Sequence, residues 1–150
     1  LYLIKVKVTI VPVGRLDMNT SGALIWTNDG DFVYKVTHPK HEITKTYTVT
    51  LKGIITKEEV EKLRDGVEID NYKTKPAKVR LLKTDLESDI SRVEIIIHEG
   101  KNRQVRKMCE AIGRKVLALH RSKIGNLGVK DLKIGTWRYL KQEEVHKLLN

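Results

Sequence analysis

The chain has 150 residues, 40% hydrophobic and 32% charged, which suits one folded domain with a substantial core. No apolar run approaches the ~20 residues that span a bilayer, and one cysteine, Cys109, excludes an internal disulfide and fits a reducing cytoplasm. The net charge of +10 is lopsided: residues 1–100 carry 16 basic and 15 acidic side chains, whereas residues 101–150 carry 13 and 4. A basic surface confined to the last third suits a polyanion, since neutralised phosphates release counterions on binding. A membrane surface is the rival partner, but no basic helix with a large exposed apolar face is evident.

Residues 3–11 alternate lysine with β-branched or apolar side chains and predict a strand with one wet face. The stretch Gly14 to Gly22 follows as a glycine-bounded loop rich in Asn, Thr and Ser, with the carboxylate of Asp17 at its centre. A second strand is expected over Ala23–Thr27, a helix over Asp31–Thr37, and a strand over Lys45–Leu51 with Tyr47, Val49 and Leu51 on one face. Thr56 and Glu59 have the spacing of a capping box, so a helix should run to about Asp65 and end at Gly66. Glu58 and Lys62 are spaced to pair on its wet face. Strands over Val67–Ile69, Ala77–Thr84 and Arg92–His98 come next. A helix from Asn102 to Ile112 carries an apolar stripe of Val105, Met108, Cys109 and Ile112. The remaining elements are a strand over Lys115–Ile124, a short strand over Trp137–Leu140 and a closing helix over Gln142–Leu149. Strands and helices in mixed order make the class α+β, with a mixed, mostly antiparallel sheet and flanking helices.

Several motifs fail their chemistry. Gly100-Lys101 lacks both the glycine five residues earlier and the following Ser or Thr of a phosphate-binding loop. Ser21 follows Asn19 where a nucleophile elbow needs glycine. His38 and His41 have no further Cys or His pair to complete a zinc set. Cys109, inside the apolar stripe, reads as an inert core thiol. The residues call for no metal and no cofactor.

Three segments together resemble the pseudouridine synthases of the branch that modifies ribosomal RNA at single sites. They are Val13-Gly14-Arg15-Leu16-Asp17 with Thr20-Ser21-Gly22 and Thr27-Asn28-Asp29-Gly30; His38-Pro39 leading to Lys45-Thr46-Tyr47; and Glu99-Gly100-Lys101-Asn102-Arg103-Gln104-Val105-Arg106-Lys107-Met108. Lys75-Pro76-Ala77 and Gly135 to Leu140 extend the resemblance over residues 13–149 and lean it toward the large-subunit enzymes. The resemblance implies isomerisation of a uridine in ribosomal RNA, without metal or cofactor, by a monomeric cytoplasmic protein.

It also implies roles. Asp17 matches the essential aspartate, and Arg106 the basic residue that pairs with it. Tyr47 matches the tyrosine stacked on the uracil, and Leu119 an apolar neighbour of both. Arg15 matches the residue that fills the space left by the extruded nucleotide. Arg103, Gln104, Lys107 and Arg121 are expected to contact RNA phosphates or backbone. A small basic RNA-binding domain and an Asn-Lys-Pro strand normally precede these motifs in the family. Neither is present before Val13, so residues 1–150 are expected to be a catalytic domain alone, or one in which the opening strand substitutes for the missing one. Two other classes compete: a non-catalytic RNA-binding or ribosome-assembly module, and a glycosidic-bond hydrolase, which would want a second carboxylate.

Overall fold

The computed structural model describes residues 9–150. The strand expected over residues 3–11 therefore lies almost wholly outside the described residues. The first described strand, β1, is Val11–Val13, and it pairs antiparallel with β3, Ile25–Thr27. Between them the predicted loop holds a short strand, β2, at Thr20–Gly22. Helix α1 follows at Gly30–Thr37, capped by the Asp29 carboxylate, which accepts from the Asp31 and Phe32 N–H groups.

The main sheet is built on β4, Lys45–Lys52, which lies between β8, Ile90–Ile97, and β9, Val116–Ile124, antiparallel to both. Strand β7, Lys78–Asp85, extends it on the β8 side, and β10, Leu127–Gly128, on the β9 side. β2 joins parallel to β9, the one parallel pairing among the described strands. The predicted α+β class and mostly antiparallel sheet are both observed.

Alternation fills the core as expected. Val49 and Leu51 of β4 and Val93 and Ile95 of β8 are completely buried, with Val49 directly opposite Val93. Helix α2, Lys57–Asp65, begins with the predicted capping box and buries Val60 and Leu63 against the same cluster. Helix α3, Gln104–Ala111, adds Val105, Met108 and Cys109 at helical spacing. Each such side chain contributes about 1.5–3 kcal/mol of burial. A second cluster joins Val13, Phe32, Val36 and Ile124 to Leu148 of the closing helix α4, Gln142–Leu149. No helix of the described residues is long and apolar enough to cross a membrane.

Three expectations need correction. Trp137–Leu140 forms no strand: the bidentate pair of Arg138 with Glu144 (2.8 and 2.7 Å) fixes the segment to α4 instead of to a sheet edge. Trp137 and Tyr139 consequently remain exposed. On α2, Glu61 pairs with Arg64 at 2.6 Å and Glu59 with Arg114 at 2.9 Å, rather than Glu58 with Lys62. The third helix begins at Gln104, two residues later than expected, because Arg103 is left-handed (φ 51°) and cannot belong to it. A hairpin absent from the expectations, β5 (Glu68–Ile69) with β6 (Tyr72–Lys73), turns through Asp70 and Asn71, both at positive φ.

The contact of β2 with β9 depends on Gly22. A Cβ there would lie 2.1 Å from the main-chain oxygen of Arg121, and its φ of +123° disfavours any side chain. Gly22→Ala is expected to lower stability by about 2–4 kcal/mol, the upper range for overpacking plus backbone strain. Urea unfolding followed by circular dichroism measures it.

Candidate active site

The pairing of β1 with β3 makes residues 14–24 an excursion that leaves one edge and returns to it. Within the excursion, β2 lies on β9 with Thr20 opposite Leu119 and Gly22 opposite Arg121. The Thr20 N–H donates to the Asp17 main-chain oxygen at 3.0 Å, closing the turn that presents Asp17. Its carboxylate is about one-fifth exposed.

Helix α3 and its approach supply the cations, in a different arrangement from the one expected. The Asp17 carboxylate lies 3.7 Å from the Arg103 guanidinium, and no Asp17–Arg106 ion pair forms. The left-handed turn at Arg103 takes its side chain off the helical face and toward the loop. Arg106 is buried and donates through Nη2 to the Asn19 main-chain oxygen at 2.6 Å and to Thr20 Oγ1 at 3.4 Å. It thus braces the backbone that carries Asp17. Arg106 Nε is buried without a partner.

The four side chains expected to contact RNA divide. Arg103 is partly exposed. Arg121 is buried, with Nε and Nη2 both on the Ala23 main-chain oxygen at 3.0 and 2.8 Å. Gln104 is buried and bonds Glu99. Lys107 is paired with Asp70. Each of these last three makes an intramolecular bond, through Nε and Nη2 of Arg121, the side-chain amide of Gln104 and the ammonium of Lys107.

Asp17, Arg15, Tyr47 and Leu119 line one cavity of about 350 Å³, within the usual size range of small-ligand sites. Leu119 is buried and faces Val49 of β4 on one side and Thr20 of β2 on the other. A bulge shifts the β4–β9 register beside Tyr47, leaving Ser122 as the extra residue, and its hydroxyl donates to the Thr46 main-chain oxygen at 3.2 Å. Bulges of this kind re-aim a side chain beside a site.

Two lining residues were not singled out from the sequence. Lys45, two positions from Tyr47 and on its side of the strand, donates to the Glu99 main-chain oxygen at 3.3 Å. Burial, and then the charge of Arg121, hold its pKa below that of an ordinary lysine. Period-two spacing from Tyr47 was the available signal. Glu99 is buried and accepts from the Tyr72 hydroxyl, from Gln104 Nε2 at 2.8 Å and from the Lys75 N–H at 3.0 Å. Burial pushes its pKa up, but the bonds from Tyr72, Gln104 and Lys75 outweigh it and hold the carboxyl below the usual range. Behind the site, burial pushes the Cys109 thiol up to about 12, consistent with an inert core thiol.

Five cationic side chains (Arg15, Lys45, Lys101, Arg103 and Arg121) line the cavity with only two carboxylates, Asp17 and Glu99. Such a cleft, with an apolar wall and an aromatic ring, has the chemistry to attract an anionic ligand that carries a flat group. The RNA pseudouridylate synthase family matches residues 2–111. The chain is 48% identical over 139 residues to the ribosomal large subunit pseudouridine synthase B of Bacillus subtilis (strain 168), covering 93% of this chain and 57% of that protein. It is 42% identical over 135 residues to the ribosomal small subunit pseudouridine synthase A of Vibrio vulnificus (strain CMCP6), covering 88% and 56%. A pseudouridylate synthase crystal structure superposes with a TM-score of 0.82 at 36% identity, over 93% of this chain and 59% of the other. Human RNA pseudouridylate synthase domain containing 1 shares the fold, with a TM-score of 0.56 at 17% identity. The chain therefore belongs to the RNA pseudouridylate synthase family. It spans a little over half the length of the curated relatives it matches.

The depressed Glu99 carboxyl makes a pH prediction. A carboxyl whose folded pKa lies below its unfolded value contributes stability that is complete at neutral pH and lost as pH falls through the folded value. Wild type should lose more stability than Glu99→Gln between pH 7 and about pH 3, so that their urea midpoints converge in acid.

Proposed function

We propose that this chain isomerises a uridine of ribosomal RNA, in the large subunit, to pseudouridine. The observation that carries the reading is the convergence of Asp17, Tyr47 and Leu119 on one cation-lined cavity, in a chain of the pseudouridylate synthase family. In the reaction the N1–C1′ bond breaks, the uracil turns while held, C5 bonds to C1′, and the proton on C5 is lost as N1 gains one. A stacked base cannot turn about its glycosidic bond, so the nucleotide must leave the helix.

Asp17 is the reacting carboxylate, either attacking C1′ or removing the 2′ proton. Both routes need the anion, and the cation nearest to it among the described residues is the Arg103 guanidinium at 3.7 Å. Tyr47 offers its ring to the uracil and stands where the C5 proton is exchanged, while Leu119 walls the cavity. Arg15 takes the place of the extruded nucleotide, and Arg106 holds the loop. Arg103 and Lys101 face the RNA backbone from the cavity rim. A monomeric cytoplasmic protein acting without metal or cofactor, as a catalytic domain, belongs to the same proposal.

Asp17→Asn is expected to reduce pseudouridine formation by more than about a thousand-fold, with little change in unfolding midpoint or RNA affinity. The measurement incubates full-length ribosomal RNA with protein and maps pseudouridine chemically. Conversion at the wild-type rate would remove Asp17 from the reaction. Release of free base would mark a hydrolase, and bound but unchanged RNA a binding module.

A further inference from the structure

Glu99 is 8% exposed, yet it makes no ion pair among the described residues. Burying a carboxylate on neutral donors alone is costly unless its lone pairs are filled. Here they are filled by one hairpin and one turn. The Tyr72 hydroxyl, from β6, donates to one carboxylate oxygen, and the Lys75 N–H and Gln104 Nε2 to the other. Gln104 in turn accepts the Lys101 N–H on its Oε1 at 3.2 Å, and its own N–H returns to the Lys101 oxygen at 3.1 Å. The Lys101 ammonium lies 4.4 Å from the centre of the Tyr72 ring. At the other end of the hairpin, Asp70 pairs with Lys107 of α3.

Arg103 lies inside this closed turn. A left-handed, non-glycine residue costs about 1–3 kcal/mol and persists only where its surroundings fix it. Its own side chain caps nothing. Its main-chain oxygen accepts the Lys107 N–H at 3.0 Å, and the neighbours on either side, Lys101 and Gln104, are held by Tyr72 and Glu99. The conformation has one visible result, which is that the Arg103 guanidinium meets Asp17.

We propose that Tyr72 and Glu99 are positioning residues for the reaction, acting through Gln104 and the left-handed turn to set Arg103 against Asp17. The inference rests on the reading of Asp17 as the reacting carboxylate. It gives the β5–β6 hairpin a function: it clamps residues 99–107 at both ends, and α3 cannot slide without breaking one of the two contacts.

The first test needs no turnover. In 15N-labelled protein, Asp17→Asn should move the Arg103 side-chain resonance. In Tyr72→Phe and Glu99→Gln backgrounds the same substitution should move it by less than about half as much, as expected when one group acts through another. A full response in both backgrounds would overturn the proposal. The second test is kinetic. Tyr72→Phe keeps the ring under Lys101 and removes only the hydroxyl, so kcat should fall about ten-fold with KM within about two-fold, since sub-ångström misplacement is enough for such a loss. Glu99→Gln should cost more. In an Arg103→Ala background neither should cost anything further, whereas a purely structural role would lower stability and leave the losses additive. Additive losses would overturn the proposal. Wild-type turnover on ribosomal RNA, measured first, tests the activity separately. If Glu99→Gln does not fold, Tyr72→Phe carries both tests.

Discussion

Three residues of parallel pairing, Thr20–Gly22 against Leu119–Arg121, are the constraint on which the site depends. They convert a loop from a small two-stranded sheet into an edge of the main one. Both strands are tied at the exit as well. The Ala23 N–H donates to the Arg121 main-chain oxygen at 2.7 Å, while the Arg121 guanidinium returns to the Ala23 oxygen. One arginine thus satisfies the Ala23 carbonyl in a place where water has been removed. Because Leu119 is the partner of both Thr20 and Val49, the position of Asp17 is referred to β4, and so to Tyr47.

The basic last third is used inward as much as outward. Arg106 and Arg121 are buried on peptide oxygens, Arg114 is bidentate on Glu59, Lys107 is on Asp70 and Arg138 is on Glu144. The carboxylate pairs cancel locally. The peptide-bound arginines do not, since a carbonyl supplies an acceptor without a full negative charge. Arg106 and Arg121 therefore keep a net positive potential directly behind the cavity, focused by its low-dielectric walls. The polyanion partner inferred from composition and the brace on the Asp17 loop draw on the same residues.

What the sequence made legible were elements long enough to show a period. β4, α2 with its Thr56 cap, the stripe of α3 and the closing helix all carry six or more residues of consistent pattern. β2 and β6 have three and two residues, too few for any period, and their pairing is decided by tertiary fit: a glycine at Gly22, and a turn through Asp70 and Asn71 that folds β6 onto the expected strand β5. Trp137 to Leu140 failed for the opposite reason, since its alternation looked like a strand but an ion pair to α4 determined its path. The exchange of Arg103 for Arg106 beside Asp17 has a local cause. On a helix starting at Asn102, both arginines would lie three apart on one face. A single left-handed residue ahead of the helix removes that relation, and no propensity scale assigns it to arginine.

That exchange also makes chemical sense. A pair at 3.7 Å in which the arginine is 43% and the aspartate 22% exposed stabilises the fold by no more than about 1 kcal/mol. Such a pair opens at little cost. A buried Asp17–Arg106 pair would cost about 3–5 kcal/mol to break. The two arginines divide the work. Arg106 is committed to the Asn19 backbone, while the more exposed Arg103 places its charge beside Asp17. Under the role proposed for Tyr72 and Glu99, the turn that carries Arg103 is set by a buried carboxylate bonded to neutral donors only.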